Sequence, residues 1–182
     1  MLRIRVLDSA EQAKSYYIKS ASLEAYYAEG QEFTGYWGGR AAQLLGLGGR
    51  VGEEEFCRLC DNLHPLTGKQ LTARMMKNRR VGYEFNFNAP KSVSLAYFYL
   101  HDERIMQVYR QATEMTMEEV EKVFAARVRK GDRNRDENRL TRNLCRAEFV
   151  HLTARPEDGV PDPHIHSHIV VFNVTRDEVE HQ

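Results

Sequence analysis

The sequence has no apolar run approaching the ~18 residues of a membrane span. Its first residues, Met1-Leu2-Arg3-Ile4-Arg5-Val6, are broken by arginines and lack the apolar core of a secretory signal. A cytoplasmic protein with no membrane association is therefore expected. There are only 3 cysteines. An odd count without framework spacing excludes a disulfide scaffold. Cys57 and Cys60 form a CxxC, but no second pair completes a zinc site, so they read as two ordinary thiols on a helix. Net charge is also lacking: 26 basic residues balance 26 acidic ones. A dinucleotide loop is excluded as well, because the glycines between Gly35 and Gly49 do not fit GxGxxG after a strand. No internal repeat and no interdomain linker is visible.

What remains is an ordinary soluble composition, 42% hydrophobic and 29% charged over 182 residues. That length suits a single domain, residues 1–182, with a sizeable core. The balanced charge is unevenly spread. From Lys69 to Lys91 there are six basic residues (Lys69, Arg74, Lys77, Arg79, Arg80 and Lys91) against one acid, Glu84. From Arg127 to Arg155 there are nine against four. A neutral chain can thus present basic faces, although such runs are ordinarily solvated surface.

Leu2 to Leu7 alternates apolar and basic residues, as a half-buried strand does. Helices are expected from about Ala10 to Lys19 and from Ser22 to Gly30, the second stopped by glycine. Further helices are expected at Gly39–Leu45 and Gly52–Leu63. Gly82 to Asn88 reads as a strand, with Tyr83, Phe85 and Phe87 on one face and Glu84 and Asn86 on the other. Pro90 opens a helix that continues to Leu100. A long helix is expected from Glu103 to Arg129, burying Ile105, Val108, Ala112, Met115, Val120 and Val123-Phe124. Gly131 to Arg139 reads as a charged loop. Leu144–Thr153 and His164–Thr175 are the last strands. The pattern predicts an α+β fold, a mainly antiparallel sheet covered by helices.

The last strand opens with Pro161-Asp162-Pro163-His164-Ile165-His166-Ser167-His168, ahead of an apolar β-branched run. Alternation puts His164, His166 and His168 on one face. Two imidazoles on one ion have nitrogens ~3–3.5 Å apart. Strand positions two apart are ~6.6 Å apart at the backbone and can lean together, whereas positions four apart, at ~13 Å, cannot. One i, i+2 pair plus a histidine from another element is the physical solution. His151, ending the preceding strand, is the natural third ligand. Three neutral imidazoles leave an open position, as catalytic sites do. A lone strand histidine is ordinarily structural; three in alternation beside a fourth point to a metal.

Tyr16-Tyr17 and Tyr26-Tyr27 are doublets ten residues apart. Tyrosines at this density usually pack. Tyrosine is also a covalent nucleophile when a nearby cation or base activates it.

Together these pieces resemble the relaxase domain of the MobF (TrwC/TraI-type) conjugative relaxases, which are HUH endonucleases. The resemblance rests on the tyrosine doublets and on Trp37-Gly38-Gly39-Arg40-Ala41-Ala42 through Leu45-Gly46-Leu47. It continues through Gly82-Tyr83-Glu84-Phe85-Asn86-Phe87-Asn88-Ala89-Pro90-Lys91-Ser92-Val93-Ser94 and Thr141-Arg142-Asn143-Leu144. Phe149-Val150-His151 and Asp162-Pro163-His164-Ile165-His166-Ser167-His168 complete it, so the matches run in order along the whole chain. The resemblance implies a palm/RRM-like core. It also implies site- and strand-specific, metal-dependent cleavage and rejoining of single-stranded DNA at an origin of transfer, through a 5′-phosphotyrosyl intermediate. Tyr16 is the implied first nucleophile and Tyr26 the second, with Tyr17 and Tyr27 supporting or packing. The family register assigns His151, His166 and His168 to a divalent ion, Mg²⁺ or Mn²⁺, and makes His164 a neighbour. Glu84 stands where the family has an aspartate beside the site. Lys91, Lys77, Arg79 and Arg80 are candidate phosphate contacts. Accessory mobilisation and coupling proteins are the implied partners of a monomer. The family domain continues beyond its HxH strand, so a truncated relaxase is expected, and a non-catalytic single-strand-binding remnant is the alternative.

Overall fold

The computed structural model describes residues 1–15, 17, 35–72, 79–129, 136–154 and 160–179. Its strands are β1 (Leu2–Leu7), β2 (Tyr36–Gly38), β3 (Gly82–Asn88), β4 (Ala125–Arg129), β5 (Asp136–Leu140), β6 (Cys145–Thr153) and β7 (Pro163–Phe172). Its helices are α1 (Arg40–Leu44), α2 (Glu53–Cys60), α3 (Lys91–Leu100) and α4 (Glu103–Lys122). Residues 10–15 and 17 are helical too, which agrees with the first expected helix. The expected helix from Ser22 to Gly30 lies outside the described residues. No helix among the described residues is long and apolar enough to cross a membrane.

Five strands form one antiparallel sheet in the order β1-β3-β7-β6-β2. β7 is central because it is the strand that can be buried on both sides: Ile165, Ile169, Val170, Val171 and Phe172 are all 0% exposed. One face of the sheet carries Ala147, Phe149, Val170 and Phe172, covered by Phe56 and Leu59 of α2 and Ala41 and Ala42 of α1. Phe56 meets Phe172 edge-on at 5.2 Å between ring centres. The opposite face carries Phe85, Leu144, Ile169 and Val171 under Met117 of α4. Each fully buried large apolar side chain contributes roughly 1.5–3 kcal/mol relative to exposure.

Gly39 is the hinge between β2 and α1. Its φ is 87°, a left-handed value that favours glycine, and a Cβ there would run into the Leu144 carbonyl oxygen.

The structure departs from the sequence expectations in three places. The long helix stops at Lys122, and residues 125–129 pair with residues 136–140 as a two-stranded ribbon. Nothing local stops the helix. Thr141 N and Arg142 N both donate to the Phe124 carbonyl, at 2.9 and 3.1 Å, so pairing with a distant segment overrides helix propensity. The expected loop of Gly131–Arg139 is correspondingly strand from Asp136. Second, α4 is rotated. It buries Met106, Thr113 and Met117, whereas Val108 and Met115 are exposed. The rotation lets Tyr109 donate to Ser167 Oγ or the Phe87 carbonyl, both at 3.0 Å, beneath the sheet. Third, Tyr36–Gly38 is a strand that the glycine-rich sequence concealed.

Candidate functional site

β6 and β7 pair so that His151 lies directly opposite His166 and Phe149 opposite His168. On the other side of β7, His168 faces Asn86 and His166 faces Asn88 of β3. Directly paired residues of antiparallel strands point to the same face. The alternation in β7 thereby becomes a polar field shared by three strands. A register shift between His151 and Thr153 ends the regular ladder just beyond the site.

The rings of His151, His166 and His168 are mutual neighbours. Their centres are 4.9 Å apart for His151–His166, 5.2 Å for His151–His168 and 5.0 Å for His166–His168. His164 is 4.9 Å from His166 on the outer side of the cluster. With ~2.1 Å bonds, tetrahedral coordination sets imidazole centres roughly 5.2 Å apart. The spacing and the donor chemistry therefore fit a metal. Among the described residues no group of three or more His, Cys, Asp or Glu is aligned to hold an ion as the side chains stand. The His151 and His166 planes differ by only 19°, and a lone pair lies in its own ring plane. A turn of one ring separates this stacking from shared coordination.

Hydrogen bonds fix which nitrogens are available. Nδ1 of His168 lies 2.7 Å from Oε1 of Glu84. Nδ1 of His166 lies 3.0 Å from the His164 carbonyl oxygen. A carbonyl can only accept, so Nδ1 of His166 carries the proton and Nε2 is its lone-pair nitrogen, and a carboxylate at Glu84 selects the same tautomer in His168. Burial, reinforced by the neighbouring His151 and His168, lowers the His166 pKa to about 4. His166 is therefore neutral at neutral pH, as a metal ligand must be. Burial, followed by the positive Lys91, also lowers the His164 pKa.

Glu84 is 4% exposed, in the strand that bears Asn86 and Asn88. The Asn86 amide is 3.2 Å from Nδ1 of His168, and Asn88 donates to the Asn86 carbonyl oxygen at 2.6 Å. These two asparagines were missed as site residues, although the alternation in β3 already set Asn86 beside Glu84. Arg5 of β1 was missed too. Its Nη1 is 3.8 Å from Oε2 of Glu84, a contact between residues far apart in sequence.

The remaining candidates fall in different places. Tyr16, Tyr26, Tyr27 and Lys77 lie outside the described residues. Tyr17 packs its ring on Phe56 at 4.9 Å and against Phe149 at 5.7 Å, and its hydroxyl donates to the Val51 carbonyl at 3.4 Å. Burial raises its pKa. Phe149 is opposite His168, so the Tyr17 ring packs on the residue that pairs with His168. Lys91 pairs with Asp162 and donates to the Pro163 carbonyl at 3.0 Å, tying α3 to the start of β7. Arg79 donates to the Cys60 carbonyl at the end of α2, and Arg80 to the Tyr83 hydroxyl.

The model of the TrwC relaxase family matches residues 10–182. The chain belongs to the TrwC relaxase family. It is 36% identical over 179 residues to the multifunctional conjugation protein TraI of Escherichia coli, covering 97% of this chain and 10% of TraI. Among solved structures it is similar to the conjugative relaxase TrwC in complex with oriT DNA. The metal-free form matches with a TM-score of 0.79 at 28% identity, over all of this chain and 58% of the other. The metal-bound form matches with a TM-score of 0.79 at 29% identity, over 60% of the other chain. A further TrwC complex, with a 27-mer DNA comprising the recognition hairpin and the cleavage site, matches with a TM-score of 0.79 at 27% identity. This relaxase-family chain thus spans about a tenth of TraI and under two thirds of the TrwC chains. The expected α+β fold with its antiparallel sheet is the relaxase fold seen in TrwC.

Proposed function

We propose that this chain carries the nicking and strand-transfer centre of a conjugative relaxase, acting on single-stranded DNA at an origin of transfer. The observation that carries this reading is the three-imidazole field of His151, His166 and His168, with Glu84 behind His168. A divalent ion held by His151, His166 and His168 would neutralise charge on the scissile phosphate and favour attack on it. Imidazole donors suit first-row transition ions better than magnesium, a hard cation that prefers oxygen. Of the two expected ions, manganese is the better match.

The residues divide the work. The Tyr16 oxygen attacks phosphorus and loses its proton to solvent, and the bond to the 3′-oxygen breaks as that oxygen takes up a proton. The products are a 5′-phosphotyrosyl link and a strand ending in a 3′-hydroxyl. The link conserves the phosphodiester, so the reverse attack rejoins the strand without an energy source. Tyr26 serves as the second nucleophile. Glu84 keeps His168 in the tautomer that presents Nε2 and would make its ring a more basic donor to a bound ion. Its hydrogen bond to the histidine favours this orienting role over that of a base.

The test is a panel of labelled origin-of-transfer oligonucleotides incubated with the protein and Mn²⁺ or Mg²⁺, read on a denaturing gel. A covalent protein–DNA adduct is expected, lost in Tyr16→Phe and on chelation. An adduct that survives both Tyr16→Phe and Tyr26→Phe refutes the nucleophile assignment. Binding without any adduct under every metal identifies a DNA-binding remnant instead.

A further inference from the structure

We infer that Arg3 and Arg5 of β1 form a second anion seat on the histidine face, which takes a backbone phosphate of the single strand beside the one that is cut. The inference rests on the single-stranded DNA reading of the site. Alternation puts both arginines on one face of β1. Their cross-strand partners are Asn86 and Glu84, the two residues that contact His168. The polar field therefore continues unbroken from β6 across β7 and β3 to β1, and its last strand is cationic.

Among the described residues β1 is an edge strand of the sheet. The Arg5 side chain is 61% exposed, while Glu84 beneath it is 6% exposed. A guanidinium has five N–H donors in a fork that matches phosphate. A single 3.8 Å approach to Glu84 leaves most of that fork facing solvent above the site. Glu84 sits between His168 and Arg5 and draws the arginine toward the histidine field. β1 is two strands from β7, about 10 Å. That distance is too long for the phosphate under attack at the histidines and suits a neighbour along the same backbone. The opposite face of β1 carries Leu2, Ile4 and Val6, so the charge is confined to the side on which the site lies.

Binding of a fluorescent oligothymidylate of about twelve nucleotides, a length in the range of single-strand sites, tests this by anisotropy over a series of salt concentrations. Arg5→Gln and Arg3→Gln should each weaken binding severalfold and reduce the slope of log K against log salt by about 0.7, the value for one lost single-strand phosphate contact. Arg5→Lys should keep the slope. Arg104→Gln, which alters a cation paired with Asp102 at the start of α4, should leave it unchanged. Melting curves check that each variant is folded. An unchanged slope in Arg5→Gln overturns the seat. So does an equal loss in Arg104→Gln, which would report net charge alone, or a loss in Arg5→Lys as large as in Arg5→Gln. Adduct formation on origin oligonucleotides is read separately. Loss of slope in Arg5→Gln with no adduct from the unaltered protein keeps the seat and sinks the nickase reading. An adduct with an unchanged slope does the reverse.

Discussion

Along β7, Ile169 to Phe172 are buried on both faces, whereas His164, His166 and His168 alternate with buried Ile165 and Ser167 and keep one side partly open. The two halves belong to one strand but face different surroundings. The second half lies between two apolar clusters, Val170 and Phe172 in one and Ile169 and Val171 in the other. Among the described residues the first half has its apolar anchor beneath it, where Ile165 packs near Met106 and Ser167 meets Tyr109. A strand fixed at one end by packing on both sides can hold chemistry at the other end, where hydrogen bonds rather than a second apolar layer orient the rings. Rigidity is supplied by one half and function by the other.

That division can be broken from either side. The largest stability effect is expected in the buried half. Phe172→Ala should cost about 3–5 kcal/mol and Ile169→Ala about 2–5 kcal/mol in urea unfolding, with loss of metal binding as the strand loosens. A smaller cost at Phe172 than at His166 would reverse the assignment of the two halves. In the open half the effect should fall on function. Glu84→Gln should lower metal affinity ten- to a hundredfold, as removal of a ligand's hydrogen-bond partner does, measured by calorimetry on a folded protein. Unchanged affinity would show that Glu84 does not orient His168.

A gentler probe is pH. In the unfolded chain His166 takes up a proton near pH 6.5, but in the folded protein only near pH 4, chiefly because of burial. Its contribution to the stability of the metal-free protein is therefore present above pH 6.5 and is lost progressively as pH falls toward 4. His166→Gln should flatten the melting temperature over that window. An identical decline in the variant would place the acid sensitivity elsewhere. The smallest effect is expected for His164→Ala, which removes the outermost ring of the cluster. Stability should change by no more than about 0.5 kcal/mol, and metal affinity less than in His151→Ala.

The legible parts of the fold were those with a local period. β1, β3, β6 and β7 announced themselves by alternation, and α3 by Pro90 and the apolar run after it. β2 is three residues long, too short for any period to show. The β4–β5 ribbon was hidden because its stabilising partners, Thr141 and Arg142, are remote from Phe124. The orientation of α4 was hidden because apolar residues occur on two of its faces and the sheet's polar groups choose between them. Arg146, 4% exposed and paired with Glu114 and Glu148, shows the same limit: a charge in a β-strand reads as solvent-facing until its partners are known. The histidines were different. Reach alone required an i, i+2 pair and a third imidazole from a neighbouring strand. The rings that meet His151 are those of His166 and His168.

The strand order β1-β3-β7-β6-β2 has a consequence for how the molecule comes into being. The central strand is the last of the five to be synthesised. Until it emerges from the ribosome, β3 and β6 lack the strand that lies between them, and β1–β3 and β2–β6 cannot be joined into one sheet. Such non-local closure is slow, and it leaves unpaired edges exposed while the chain waits. β7 closes both edges at once and brings His166 and His168 with it. The imidazole field is thus completed in the same event that completes the sheet, and a nascent chain has no metal site before it has a fold.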